Sequence, residues 1–137
     1  MSNTVKGASS QVFGQGNEVY GVYHTVSGFY NEVGKDSNKV DDYRYNVVSG
    51  FKNKVEGSHN IVFGEENEVK TSDNTKPKID HTVALGYHAK TLGNDAVAIG
   101  KETEANIGST AIGGNANATG NYSVALGKEG EASKAIQ

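Results

Sequence analysis

Short apolar runs, each ended by a glycine, recur along almost the whole chain. One class of run includes QVFG, TVSG, VALG and VAIG, and these runs end at Gly14, Gly28, Gly50, Gly64, Gly86, Gly100, Gly113 and Gly127. A second class, such as NEVYG and NKVEG, ends at glycines that fall between them. Fourteen of the eighteen glycines fit the pattern, nearly all at a spacing of seven. The two classes alternate, so the repeat has 14 residues with two glycine turns.

This repeat predicts parallel strands that stack from one repeat to the next. A helix is excluded because a glycine at every seventh position would cost it about 1 kcal/mol each. Glycine suits tight turns because it adopts positive φ without a Cβ clash. We therefore predict an all-β parallel β-roll, a β-solenoid of about eight or nine 14-residue rungs, each advancing about 4.8 Å.

Two positions of each repeat change size together, which predicts the interior. Residues two before the first glycine class are Val12, Val26, Val48 and Val62, then Ala84, Ala98, Ala111 and Ala125. Residues five after it change in the same way, from valine to threonine or alanine. A coupled change indicates that the two positions pack against each other. Strand alternation then places the following residues on the outside, as a trimer interface: Val83, Leu85, Val97, Ile99, Ile112, Val124 and Leu126.

The length suits a single domain over residues 1–137, interrupted by two polar insertions near 34–46 and 70–81. Most of the aromatic residues lie in the first half of the chain. Large amphipathic side chains are typical anchors of interfaces. We predict a binding surface around the first insertion, formed by Phe29, Tyr30, Tyr43, Arg44, Tyr45 and Phe51.

Composition excludes several function classes. The net charge of −3, with interspersed signs, leaves no basic surface for nucleic acid, and the chain has no cysteine. No apolar run approaches the roughly 20 residues that span a bilayer. The histidines lack zinc-site spacing, and the adjacent Asp41 and Asp42 form no catalytic pair. We expect no catalytic residue, no metal, no cofactor and no enzyme activity.

The runs VALGYHAKTLGNDAVAIG and GGNANATGNYSVALG, between Thr82 and Ser133, resemble the head repeats of trimeric autotransporter adhesins, the YadA-like family. Residues 10–69 resemble a valine- and asparagine-rich variant of the same repeat. The resemblance implies a left-handed roll, a homotrimer and a place on the outer membrane surface of a Gram-negative bacterium, in a protein class linked to virulence. The family's membrane anchor, stalk and signal peptide are not found in this sequence, so we expect a fragment of a longer surface protein.

The resemblance implies an adhesin head that attaches to molecules of a host cell, a neighbouring cell or the extracellular matrix. One alternative is a passive spacer in a surface fibre. Another is a solenoid enzyme of the acyltransferase type, although those solenoids have a period of six rather than seven doubled. The flat threonine array of ice-binding solenoids is not found in this sequence.

Overall fold

A computed structural model describes residues 2–35, 42–71 and 79–134, and these form a roll of short parallel strands. Strands are numbered β1 to β19 along the chain. In the part that the structure describes, every strand pairing is parallel, and no helix is long and apolar enough to cross a membrane. The prediction of a parallel β-roll is confirmed.

Two sheets face each other across the roll. The nine-stranded sheet contains β1 (Thr4–Lys6), β3 (Glu18–Tyr20), β5 (Glu32–Val33), β7 (Lys54–Val55), β10 (Glu68–Val69), β13 (Lys90–Thr91), β15 (Glu104–Ala105), β17 (Asn117–Ala118) and β19 (Glu131–Ala132). The eight-stranded sheet contains β2 (Gln11–Gln15), β4 (Thr25–Phe29), β6 (Val47–Phe51), β9 (Ile61–Glu65), β12 (Val83–Tyr87), β14 (Val97–Ile99), β16 (Thr110–Ile112) and β18 (Val124–Leu126). A short third sheet pairs β8 (Gly57–Ser58) with β11 (Ile79–Asp80). Successive rungs therefore stack in register.

The core consists of two columns of small apolar side chains, as the coupled change predicted. Val26 of the eight-stranded sheet and Val33 of the nine-stranded sheet are both fully buried, and the equivalent residues of the other rungs follow them. In the second half, alanine replaces valine at both positions, for example at Ala98 and Ala105. The two facing side chains thus become smaller together, and the interior of the roll stays filled.

Buried asparagines form a ladder at one corner of the roll. The side-chain amide of Asn31 donates to Asn17 Oδ1 at 2.9 Å, and that of Asn53 donates to Asn31 Oδ1 at 2.9 Å. The same amides donate to glycine carbonyls of the neighbouring rung, such as Asn31 to Gly50 at 2.9 Å. Each buried amide therefore finds partners, which its burial requires.

We had expected the glycines of the first class to form the corners of the roll. They lie instead within the strands, as Gly28 does in β4, or directly after them, as Gly100 does after β14. A Cβ on Gly28, at φ +116°, would stand 2.0 Å from the carbonyl oxygen of Gly50 in the next rung. The corner residue proper lies two positions later and has a left-handed conformation, as Tyr30 does at φ 56°. Glycine is thus required at the strand end because the next rung's backbone is too close for any side chain.

Candidate interaction surfaces

The outer side of the eight-stranded sheet carries the predicted aliphatic stripe. Val83 pairs with Val97, and Leu85 pairs with Ile99, so these side chains form two columns along the roll. The Leu85 column continues through Ile112 to Leu126, which is 65% exposed, whereas the Val83 column passes through Thr110 before it reaches Val124. All seven residues of the predicted interface lie on this one face. The face therefore exposes a largely apolar surface in the single chain.

In the first half of the chain, the same face is mixed. Phe13, Ile61 and Phe63 are exposed there and extend the apolar surface. Between them, the Ser27 hydroxyl donates to the Ser49 hydroxyl at 2.9 Å. In the second half, one aliphatic column is thus continuous and the other is interrupted only by Thr110. In the first half, polar groups interrupt both columns.

The outer side of the nine-stranded sheet is charged, and the sign alternates from rung to rung between Glu32 and Glu104. Register pairings place Glu32 beside Lys54, Lys54 beside Glu68, Glu68 beside Lys90, and Lys90 beside Glu104. Partial burial raises the pKa of Glu68, but the hydrogen bond from Lys70 and the positive charges of Lys70, Lys90 and Lys54 outweigh it, so that this pKa lies below its ordinary value. The three inner charges of this run therefore have opposite charges above and below them, whereas Glu32 also lies beside Glu18.

A groove of about 430 Å³ runs between this charged column and the adjacent corner. The Glu66 carboxylate and the His88 Nε2 are in hydrogen-bond contact across one rung step within it. The groove is lined by Tyr30, Glu32, Lys52, Lys54, Glu66, Glu68 and His88. Because its acidic and basic groups are interleaved, the groove does not offer an ionic ligand a surface of one sign.

Four aromatic rings stack along the opposite corner, at the left-handed position of four successive rungs. The Tyr23 and Tyr45 ring centroids are 5.0 Å apart with 9° between the planes. Tyr45 lies 5.1 Å from His59, and His59 lies 5.0 Å from His81. We call these four residues the aromatic column. The column could not be recognised in the sequence, because the two insertions place Tyr45 22 residues after Tyr23, and His81 22 residues after His59, instead of 14.

The predicted binding residues do not form one cluster. Phe29 and Phe51 are paired at the ends of β4 and β6, and Tyr30 packs edge-on against Phe51 at 6.1 Å. Tyr45 lies at the other end of β6, in the aromatic column. The predicted surface therefore separates into two, one on each corner of the roll.

Tyr43 corrects our expectation, because it is buried rather than projecting, with only 3% of its surface exposed. Its side chain fills space that two glycines leave open: a Cβ on Gly34 or on Gly21 would stand 2.8 Å from Tyr43 atoms. Arg44 follows it on the exposed side, where its backbone bridges to Val22. Residues 36–41 of the first insertion and 72–78 of the second lie outside the described residues.

The pKa of His24 is strongly perturbed. Its side chain is almost completely buried, and its Nδ1 accepts a hydrogen bond from the Asn46 backbone N–H at 3.1 Å. Burial lowers its pKa to about 4, although a hydrogen bond to the Tyr20 carbonyl partly opposes the shift. Within the residues that the structure describes, no three histidine, cysteine, aspartate or glutamate side chains lie close enough to hold a metal ion.

These features define the class: a parallel β-roll solenoid with one largely apolar and one charged outer face. The profile of the grass antifreeze beta roll family matches residues 1–71, which is 71 of 137 residues, and the chain belongs to that family. The YadA head domain repeat matches twice, at residues 80–103 and 106–129, so the second half is a YadA-like head. No curated protein matches the chain at a significant level. Both matches indicate non-enzymatic roles, and the YadA repeats indicate an adhesin-type function at a cell surface.

Proposed function

We propose that this chain is an adhesin head that attaches a Gram-negative bacterium to molecules of a host cell, a neighbouring cell or the extracellular matrix, as a homotrimer on the outer membrane surface. The observation that carries the proposal is a coincidence of two features. The rungs that match the YadA head repeat are the same rungs that carry the two aliphatic columns. A surface protein must cover such columns, and copies of itself offer the matching face.

The trimer proposal rests on the contrast between the two sheet faces. The face of the eight-stranded sheet exposes Ile112 and Leu126, whereas the face of the nine-stranded sheet is lined by charges that water must solvate. Packing three aliphatic faces around one axis would remove the apolar surface from water and leave the charged faces outside. Assembly in this sense explains why one chain has two such different faces.

Replacement of Ile99 by aspartate tests the trimer. Three carboxylates would then meet at the axis without solvent, and burial of unpaired charge is strongly unfavourable. We expect light scattering to report a trimer for the parent chain and a monomer for Ile99→Asp. Thr119→Asp, which adds the same charge at an exposed position, should remain trimeric. A monomeric parent chain at micromolar concentration would refute the proposal.

Adhesion is tested by binding of the soluble trimer to epithelial cells and immobilised matrix proteins. The corner cluster of the exposed Phe29 and Tyr30 and the half-buried Phe51 is our proposed contact surface, because large aromatic side chains are typical anchors of interfaces. We expect the double variant Phe29→Ala, Phe51→Ala to lose most binding and keep its melting temperature. Tyr122→Ala, which removes a ring that is 66% exposed in another rung, is the control. A parent chain that binds neither cells nor matrix would favour the passive spacer.

The grass antifreeze match makes ice binding a second candidate, although the sequence does not have the flat threonine array of ice-binding solenoids. The geometry favours adhesion over it. The outward residues of the eight-stranded sheet alternate irregularly between small polar and large apolar side chains, as Ser27 and Ser49 precede Phe63 in one column. Inhibition of ice recrystallisation by the purified chain at micromolar concentration would reverse this preference.

A further inference from the structure

The charged face of the roll, which is the outer side of the nine-stranded sheet with the corner beside the groove, carries its charges in bands. In each of four successive rungs, a residue at the left-handed corner and a residue two positions later on the sheet are both basic or both acidic. We call these pairs the four charge bands: Lys52 with Lys54, Glu66 with Glu68, His88 with Lys90, and Glu102 with Glu104. Residues of both positions line the same grooves, so the bands form one surface on which basic and acidic bands alternate.

The charge bands are open to a partner. Lys52, Lys54 and Glu102 are exposed, and the other members are partly exposed. The proposed trimer buries the opposite face of the roll and so leaves the bands in solvent. A partner of a single sign would meet like charges in every second band, which is electrostatically unfavourable. The pattern therefore favours a partner that presents alternating bands in the reverse order.

A second copy of the chain presents this order when it lies antiparallel. A two-fold axis in the contact plane, perpendicular to the roll axis and between the second and third bands, reverses the rungs and keeps each column opposite itself. Lys52 of one copy then lies opposite Glu102 of the other, and Lys54 lies opposite Glu104. The two inner bands meet in the same way. Two parallel copies in register would instead lay every band on itself.

The residues beside the bands fit the same axis, because it brings no like charges together among the described residues of six rungs. The pairs beside the bands are Phe51 with Lys101, Glu65 with Tyr87, Glu56 with Asn106, and Lys70 with Leu92, and the flanking rungs place Glu32 opposite Asn117. A shift of the axis by one rung would place Glu104 opposite Glu18 in one direction. In the other direction, it would place the second band opposite two uncharged asparagines. The axis between the second and third bands therefore pairs all four bands.

We infer that the charged face of the head binds the same face of a second copy in antiparallel orientation, through the four charge bands. The order of the signs carries this inference, because the rung spacing is common to every column. Surface charge pairs contribute little individually, so the contact between two single faces is specific rather than tight. The inference rests on the proposed adhesin function, for which it names one partner, the head of a neighbouring cell. Heads on two facing cells meet antiparallel, and three charged faces per trimer provide avidity.

Two single substitutions test which bands meet. Lys52→Glu and Glu102→Lys each place at a left-handed corner a residue type that another rung carries there, so neither strains the backbone. We expect sedimentation velocity at low salt to show that parent trimers associate with one another. Either variant alone should keep its trimer mass and associate about tenfold more weakly, because two attractive contacts per pair become repulsive. A mixture of the two variant trimers should restore association, since each reversed charge then lies opposite its complement.

Glu129→Lys is the matched control, because it makes the same change at the same corner two rungs beyond Glu102, outside the paired bands. It should associate like the parent chain and should not restore association to Lys52→Glu. A mixture of Lys52→Glu and Glu102→Lys that stays apart, or restoration by Glu129→Lys, would overturn the inference. Association of the parent that high salt leaves unchanged would overturn it as well, because salt screens contacts between exposed charges.

The outcomes separate this inference from the adhesin proposal itself. Parent trimers that bind cells or matrix protein but do not associate with one another would overturn the pairing and leave the adhesin proposal intact. A monomeric parent chain would refute the trimer alone, because single chains carry the same bands and the same mixture tests their pairing.

Discussion

His24 makes the roll sensitive to mild acid. It belongs to a column of buried side chains in which Asn46 and Asn60 are the equivalent residues of the next two rungs. In the neutral ring, Nδ1 accepts from the Asn46 backbone N–H, and Nε2, 3.1 Å from the Tyr20 carbonyl oxygen, donates to it. A proton on Nδ1 would place two donors against each other and leave a charge in the core. The folded chain therefore keeps this imidazole neutral.

The magnitude follows from the lowered pKa. The value in the folded chain is about 4, against an ordinary value of 6.5. The unfolded chain takes up the proton first as the pH falls, so folding is penalised below about pH 6.5 and the loss is complete near pH 4. Each pKa unit corresponds to about 1.4 kcal/mol, which gives a loss of about 2 kcal/mol by pH 5 and about 3 kcal/mol by pH 4. Above pH 6.5, the ring is neutral in both states and contributes no pH dependence.

The measurement is the free energy of unfolding in urea, followed by circular dichroism at pH 8, 6.5, 5 and 4. His24→Asn is the matched variant, because Asn46 in the same column accepts the Asn60 backbone N–H through its Oδ1. Acidic groups such as Glu68, whose pKa is lowered, lose stability only at lower pH and do so equally in both proteins. The difference between the parent chain and His24→Asn isolates the histidine. Parallel pH profiles for the two proteins would refute the reasoning.

Two further predictions concern the rungs themselves. Gly28→Ala should destabilise the roll by about 3 kcal/mol or more, because its Cβ would collide with the Gly50 carbonyl oxygen 2.0 Å away. Gly127→Ala has positive φ but no atom within 4 Å, so we expect a loss of only about 1 kcal/mol; equal losses in thermal melts would contradict the steric argument. Lys54→Glu would place an acidic residue between Glu32 and Glu68, which together with Glu18 makes four in consecutive rungs, and should cost about 0.5 to 1 kcal/mol at low salt. That cost should vanish in 1 M salt, and a salt-independent loss would point to packing instead.

The interior could be predicted from the sequence because its physical requirement is the same in every rung. Val26 and Val33 face each other at a fixed separation, so a change at one position forces a change at the other. Periodicity alone then identifies the inward columns and, by alternation, the outward aliphatic columns that begin at Val83 and Leu85. The buried asparagines of the ladder recur with the same spacing relative to the glycines.

The corners could not be predicted, because they depend on how the chain returns after each insertion. Tyr45 stacks on Tyr23 only because the first insertion rejoins the roll 22 residues later in register. The burial of Tyr43 depends on the space beside Gly21 and Gly34, which exists only once three rungs are assembled. In the sequence, His24 is one of four separate histidines. In the structure, its Nδ1 accepts the backbone N–H of the next rung, as the Oδ1 of Asn46 does one rung later. Sequence spacing reveals contacts between rungs where the repeat is regular, but not the contacts that form where an insertion rejoins the roll.

The interior is so uniform that it does not determine which rung stacks on which, whereas the charges on the outer surface do contribute to this register. The inward columns of the first half repeat valine and asparagine in rung after rung, so a slip of one whole rung would change their packing little. The outward charges do not repeat in this way, because Glu32, Lys54, Glu68, Lys90 and Glu104 alternate in sign. A slip of one rung would lay equal charges over one another and lose the stabilisation that lowers the pKa of Glu68. The core thus specifies the fold of each rung, and the charged face selects which rung follows which.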